Sequence, residues 1–82
     1  MTRDEIKNEF IDALRRRSDI DFLYKGNDYV IVVNGRDKWC IAIAYKPETT
    51  KEFDTPDELL ESKIDGRRII DICEEFEITD IS

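Results

Sequence analysis

Histidine is absent from this 82-residue chain. That removes the commonest general base near neutral pH and the commonest metal-binding imidazole. Cysteine is scarce: Cys40 and Cys73 are the only two, and their separation lacks the spacing of a zinc knuckle or a redox Cys-x-x-Cys pair. Both sit in apolar patterns and read as buried, reduced thiols of a cytoplasmic protein. Glycine occurs three times and proline twice, and no Gly-rich loop of the kind that cradles phosphates is present. Long apolar runs are missing as well. The longest, residues 39–45, is far short of the roughly 20 residues that cross a bilayer. Met1 opens onto Thr2-Arg3-Asp4-Glu5 rather than an apolar leader, so neither a membrane span nor a secretory signal is expected.

What is present is charge and a pattern that folds. Hydrophobic and charged residues each make up 40% of the chain, a balance that excludes disorder and leaves one small α+β domain over residues 1–82. The charge is unevenly placed: residues 1–40 carry eight acids against eight bases, and residues 41–82 carry twelve acids against five, which accounts for the net −7. From Asp71 onward Asp71, Glu74, Glu75, Glu77 and Asp80 occur with no Lys or Arg. This half should carry a negative potential, a clue to partners rather than to chemistry.

The periodicity predicts an N-terminal helix, a three- to four-stranded antiparallel β-meander, and one or two short C-terminal helices packed on one face. Thr2 to Glu5 has the form of a capping box, starting a helix near Arg3 whose apolar stripe holds Ile6, Phe10, Ala13 and Leu14. Arg15, Arg16 and Arg17 suit its negative end, and the helix should stop near Arg17 or Ser18. Ile20, Phe22 and Tyr24 then alternate as a strand, and Gly26-Asn27 turns the chain. Residues 29–33 are apolar on both faces, as in a middle strand. Asn34-Gly35 signals a hairpin that Arg36-Asp37 can lengthen. In the next strand Trp39, Ile41, Ile43 and Tyr45 point one way and Cys40, Ala42 and Ala44 the other. The small side chains predict a helix over Cys40, Ala42 and Ala44, with the larger face free for contacts. Residues 46–51 read as a polar loop, and Glu52-Phe53-Asp54 as a short fourth strand. Thr55-Pro56-Asp57-Glu58 opens a further helix, which Asp65-Gly66 interrupts and which resumes from Arg67 to Glu75. Residues 77–81 alternate as an edge strand or a draping tail.

Catalytic constellations are thin. Asp19 and Asp21 share one face of a strand, and Asp54, Asp57 and Glu58 gather at a helix start, but an edge strand and a helix dipole explain both sets. Either cysteine would need a nearby base or cation for activation as a nucleophile. No enzyme activity, metal or cofactor is therefore expected. The arginine runs at 15–17 and 67–68 could touch phosphates, yet the pI of about 4.5 opposes the counterion-release term of nucleic-acid affinity. Direct nucleic-acid binding is not expected.

Residues 53–60 (Phe-Asp-Thr-Pro-Asp-Glu-Leu-Leu) and 63–72 (Lys-Ile-Asp-Gly-Arg-Arg-Ile-Ile-Asp-Ile), with the Tyr24-Lys25-Gly26 turn, resemble the C-terminal segment of small acidic proteins of Gram-positive bacteria, their phages and mobile elements. The resemblance brings no active site. It implies a mobile-element setting in which small acidic proteins inhibit defence nucleases or neutralise toxins. On this reading the chain is an anti-CRISPR-like or DNA-mimicking inhibitor of a basic nucleic-acid-binding enzyme. Its candidate contacts are Asp57, Glu58, Glu61, Asp65, Asp71, Glu74, Glu75 and Glu77, spaced as a row of negative charge. The competing reading is a regulatory or toxin-immunity module without mimicry, using the sheet face around Trp39 and Tyr45.

Overall fold

The computed structural model describes residues 2–35 and 38–82, so the reading of Arg36-Asp37 lies outside the described residues. Helix α1 (Arg3–Arg15) begins at the capping box expected. The Thr2 hydroxyl accepts the Glu5 amide at 3.2 Å, and the Thr2 amide donates back to the Glu5 carboxylate at 3.4 Å. Strands β1 (Ile20–Tyr24), β2 (Asn27–Asn34), β3 (Lys38–Ile43) and β4 (Lys46–Phe53) follow as a meander. Helix α2 (Pro56–Glu61), a ribbon of β5 (Lys63–Ile64) and β6 (Arg67–Arg68), helix α3 (Ile69–Ile72), a 3₁₀ turn (Cys73–Glu75) and β7 (Glu77–Ile81) complete the chain.

The five long strands form one antiparallel sheet in the order β4-β3-β2-β1-β7. The apolar strand β2 is its centre, and the alternating C-terminal segment is its edge. Strands β1 and β2 are joined through Lys25 and Gly26, at φ +49° and +80°, one residue earlier than the sequence suggested. Two successive positive φ angles give a turn whose twist matches the flanking strands. The same device, Asp65 and Gly66 at φ +54° and +78°, turns the β5–β6 ribbon. This ribbon separates the two C-terminal helices, where a kinked helix pair was expected. Residues 46–51, read as a loop, are most of β4. A polar edge strand accepts Pro47 because its outer amides need no ladder partner.

Register decides what each face carries. Ile20, Ile31 and Ile41 lie side by side across β1, β2 and β3, as do Phe22, Tyr29 and Ile43, while Val33, Trp39 and Phe53 form a third row across β2, β3 and β4. All three rows pack against α1, α2, α3 and the 3₁₀ turn in one core with Phe10, Ala13, Leu14, Leu59, Ile69, Ile72 and Phe76. At its centre Phe76 stacks on Phe22 with centroids 4.1 Å apart, and Phe10 meets both edge-on at 5.2 and 5.6 Å.

The face assignment drawn from the sequence is therefore inverted. Trp39, Ile41 and Ile43 face the helices, and Cys40 and Ala42 face away from them. Trp39 is 5% exposed, and its indole N–H donates to the Leu14 carbonyl at 2.8 Å, satisfying an acceptor at the end of α1. It is a core residue and offers nothing to a partner. Tyr45, expected on the same strand face, instead occupies the β3–β4 turn at φ +64° and is fully exposed.

Truncating Trp39→Ala should cost about 3–5 kcal/mol in denaturant unfolding, and Trp39→Phe about 1–2 kcal/mol through the lost indole hydrogen bond. Val32→Ser on the opposite face should cost less than about 1 kcal/mol. Equal costs for Trp39→Ala and Val32→Ser would contradict the assignment of faces.

Candidate protein-binding surface

Because the helices occupy one side of the sheet, the other side is open. Its rows follow from the same register: Asp80, Asp21, Val30 and Ala42 run across β7, β1, β2 and β3, and Val32, Cys40 and Glu52 across β2, β3 and β4. Glu77, Leu23 and Asp28 form a third row across β7, β1 and β2. The middle of this face is apolar. Val32 is 38% exposed, and a shallow groove of about 420 Å³ runs over Val30, Val32, Cys40 and Ala42 to Tyr45 and Pro47. Cys40 is screened by its neighbours, and its sulfur accepts from the Asn34 amide at 3.5 Å. Burial, then the Glu52 charge, pushes its thiol above the ordinary value, and burial does the same to Cys73. Both cysteines are free and buried, as expected, and the upward shifts hold them as thiols rather than nucleophilic thiolates.

The β1–β7 flank of the open face is acidic. Asp19, Asp21, Asp28, Glu77 and Asp80 gather there, and no Lys or Arg among the described residues forms an ion pair with any of them. Backbone pairing of Ser82 with Asp19, at 2.9 and 3.1 Å, ties the C-terminal strand alongside β1 and so brings Asp80 beside Asp21. Asp19 accepts the Val33 amide at 3.3 Å, and Asp80 accepts the Ser82 hydroxyl at 3.1 Å. The Asp21 carboxyl is raised above the ordinary carboxylate value by burial first, and then by the charges of Asp80, Asp28 and Asp19. These groups therefore share one field, and a cation brought to this flank would relieve it.

The acids singled out from the sequence fare differently. Asp57 pairs with Arg15 at 3.8 Å, Asp65 with Lys25 at 3.6 Å, Glu75 with Arg67 at 3.8 Å, and Glu61 and Asp71 both with Arg68 at 2.9 Å. Glu58 belongs to the cap of α2, where its amide donates to the Thr55 hydroxyl at 3.1 Å. The helical row is thus largely compensated by the chain's own cations. Glu74 forms no ion pair among the described residues but stands apart from the β1–β7 cluster, which of the eight only Glu77 joins. The arginines at 15–17 are likewise engaged, Arg16 with Asp12 at 2.9 Å and Arg17 over the Trp39 ring at 5.7 Å.

In the sequence Asp19 and Asp21 read as a carboxylate pair on one strand face, explained by an edge strand rather than by catalysis, and neither Asp28 nor Asp80 was placed at a site. Asp19-x-Asp21 alternation was visible. What hid the cluster was the pairing of β7 with β1, residues some 58 positions apart in the Thr79 to Asp21 contact. A second hollow of about 200 Å³ lies beneath the β5–β6 ribbon, lined by Tyr29, Ile41, Thr49, Lys51, Ile64 and Ile69. It is smaller than the roughly 300–1,000 Å³ of small-molecule sites. Among the described residues no group of three or more Cys, Asp or Glu is placed to hold a metal ion, and no helix is long and apolar enough to cross a membrane.

A carboxyl whose proton affinity rises on folding stabilises the fold fully below its unfolded value, near 3.9, and loses that contribution as pH rises through the folded value. At pH 7 ionised Asp21 therefore opposes folding. Asp21→Asn should raise stability at pH 7 by a few tenths to about 1 kcal/mol, with the gain vanishing at about pH 3. A variant less stable than the parent at neutral pH, in paired urea titrations, would contradict the raised proton affinity of Asp21. No known protein family, curated protein or solved structure matches this chain, so its function rests on the surface just described.

Proposed function

We propose that this chain is a small acidic protein-binding antagonist that occupies a basic surface of a nucleic-acid-binding enzyme, of the anti-CRISPR-like or DNA-mimicking kind. The observation that carries the reading is the cluster of carboxylates at the β1–β7 flank, Asp19, Asp21, Asp28, Glu77 and Asp80, which have no ion-pair partner among the described residues. Uncompensated carboxylates attract a partner's Lys and Arg over a Debye length of about 8–10 Å, speeding encounter and making complexes salt-sensitive. Carboxylates already bridged to Arg68, Arg67, Arg15 or Lys25 contribute less of this field. The mimicking surface therefore moves from the helices to the sheet edge. Enzymes that bind nucleic acid carry basic grooves for phosphate, and an acidic protein seated there blocks substrate without chemistry of its own.

The competing module reading loses Trp39 to the core but keeps Tyr45, which is fully exposed beside the open groove. The two readings thus converge on one side of the molecule. The test is capture from a lysate of bacteria carrying nucleic-acid defence systems, with bound proteins eluted by rising salt. The parent should retain a basic nucleic-acid enzyme at about 50 mM salt and release it by about 300 mM. Asp21, Asp28 and Asp80 changed together to Lys should lose it, whereas Glu61, Asp71 and Glu75 changed to Lys should weaken capture by less than about threefold. Undiminished capture by the first triple variant would remove the proposal.

A further inference from the structure

The open sheet face carries more than charge. Five apolar side chains, Leu23, Val30, Val32, Cys40 and Ala42, lie in adjoining register positions across β1, β2 and β3 with no helix over them. Acids border them on the β1–β7 side. On the β4 side the groove is lined by Lys46, Pro47 and Thr50, with Glu52 beside Cys40. We propose that this face is the docking site for an amphipathic, basic helix of the partner protein. Its apolar stripe would lie over Val30, Val32 and Ala42, and its Lys and Arg residues would reach the carboxylates of Asp21, Asp28 and Asp80. The inference rests on the protein-binding reading above and adds the chemistry and shape of what is bound.

Charge complementarity selects this occupant. The apolar strip has its cluster of like charge on the β1–β7 flank, while the β4 flank carries Lys46 and Glu52 of opposite sign, and the complement of such a surface is an apolar stripe with cations along one border, the pattern of an amphipathic helix. Cys40 and Ala42 are small, so a helix backbone can approach the sheet there, and a helix on a sheet face is the packing this chain already uses on its other side. An extended peptide would pair only at the β4 or β7 edge and leave the strip uncovered. A second copy is a poor complement, because the β4 side of its own open face supplies Lys46 and, further along the same strand, the acid Glu52 against five carboxylates.

Fluorescence anisotropy with synthetic probes separates the possibilities. The first probe is a Leu/Lys amphipathic helix of roughly four turns, the second the same composition shuffled to break the apolar stripe, the third an oligolysine of equal charge. The parent should bind the amphipathic probe at least about tenfold tighter than the shuffled one. Val32→Asp should abolish that preference while leaving oligolysine binding intact or stronger, since it adds an acid. Val32→Ser should reduce the preference without altering the fold by circular dichroism. Equal affinity for amphipathic and shuffled probes overturns the helix site while oligolysine binding upholds the acidic-surface reading. Absence of binding to all three probes removes both. Sedimentation as a dimer that Val32→Asp converts to monomer assigns the face to a second copy and overturns the proposal.

Discussion

A five-stranded sheet has two faces, and the helices of this chain, 13, 6 and 4 residues long, are gathered over one of them. Everything else follows from that shortage of covering material. The covered face must take the large side chains, because aromatic and branched residues are needed to fill the space between helices and sheet at native density. Phe22, Tyr29, Trp39 and the three aligned isoleucines do so, with Phe10 and Phe76 reaching down from the helical layer. The uncovered face takes small and β-branched residues in its middle and carboxylates at one flank. One-sided antiparallel sheets usually solvate the open face with polar residues. Here that face is only partly polar, and the apolar remainder is what makes it a candidate surface for a partner.

The two sides also differ in how charge is used. Over the helical layer, acids meet bases: Arg68 bridges Glu61 and Asp71, Arg67 of β6 pairs with Glu75, and Lys25 of the β1–β2 turn pairs with Asp65 in the turn of the β5–β6 ribbon. Such exposed pairs contribute little to stability, but they cancel the local field. At the β1–β7 flank no ion pair among the described residues cancels the field, and burial, followed by the charges of Asp80, Asp28 and Asp19, raises the proton affinity of Asp21. The net charge of −7 is thus expressed mainly where the chain leaves it uncompensated.

Much of this architecture was legible in the residues. Both helix starts were written in Thr2-x-x-Glu5 and Thr55-x-x-Glu58, the middle strand in the apolar run 29–33, and the C-terminal edge strand in the alternation of 77–81. The faces of β3 were not. Small residues at Cys40 and Ala42 suit a close helix, but the same residues also suit an open face, and period-2 alternation gives no sign of which side the helices occupy. The polar strand β4 was hidden because an edge strand has no need of an apolar pattern on its outer side. Asp65-Gly66 carried a hairpin signal that the surrounding helical periodicity outweighed. The acidic cluster was illegible for a topological reason: its members come from β1 and the residue before it, β2 and β7, and only the pairing of the C-terminal strand with β1 assembles them.

The central claim is that the open face and its acidic flank are where a partner sits. The most direct measurement is amide chemical-shift mapping of the isotopically labelled chain, free and saturated with a partner captured at low salt. The account predicts that the shifts concentrate at Leu23, Val30, Val32 and Ala42, with Asp21, Asp28 and Asp80 beside them. Shifts confined to Glu61, Asp71, Glu74 and Glu75 on the helical layer, with the open face unmoved, would contradict it.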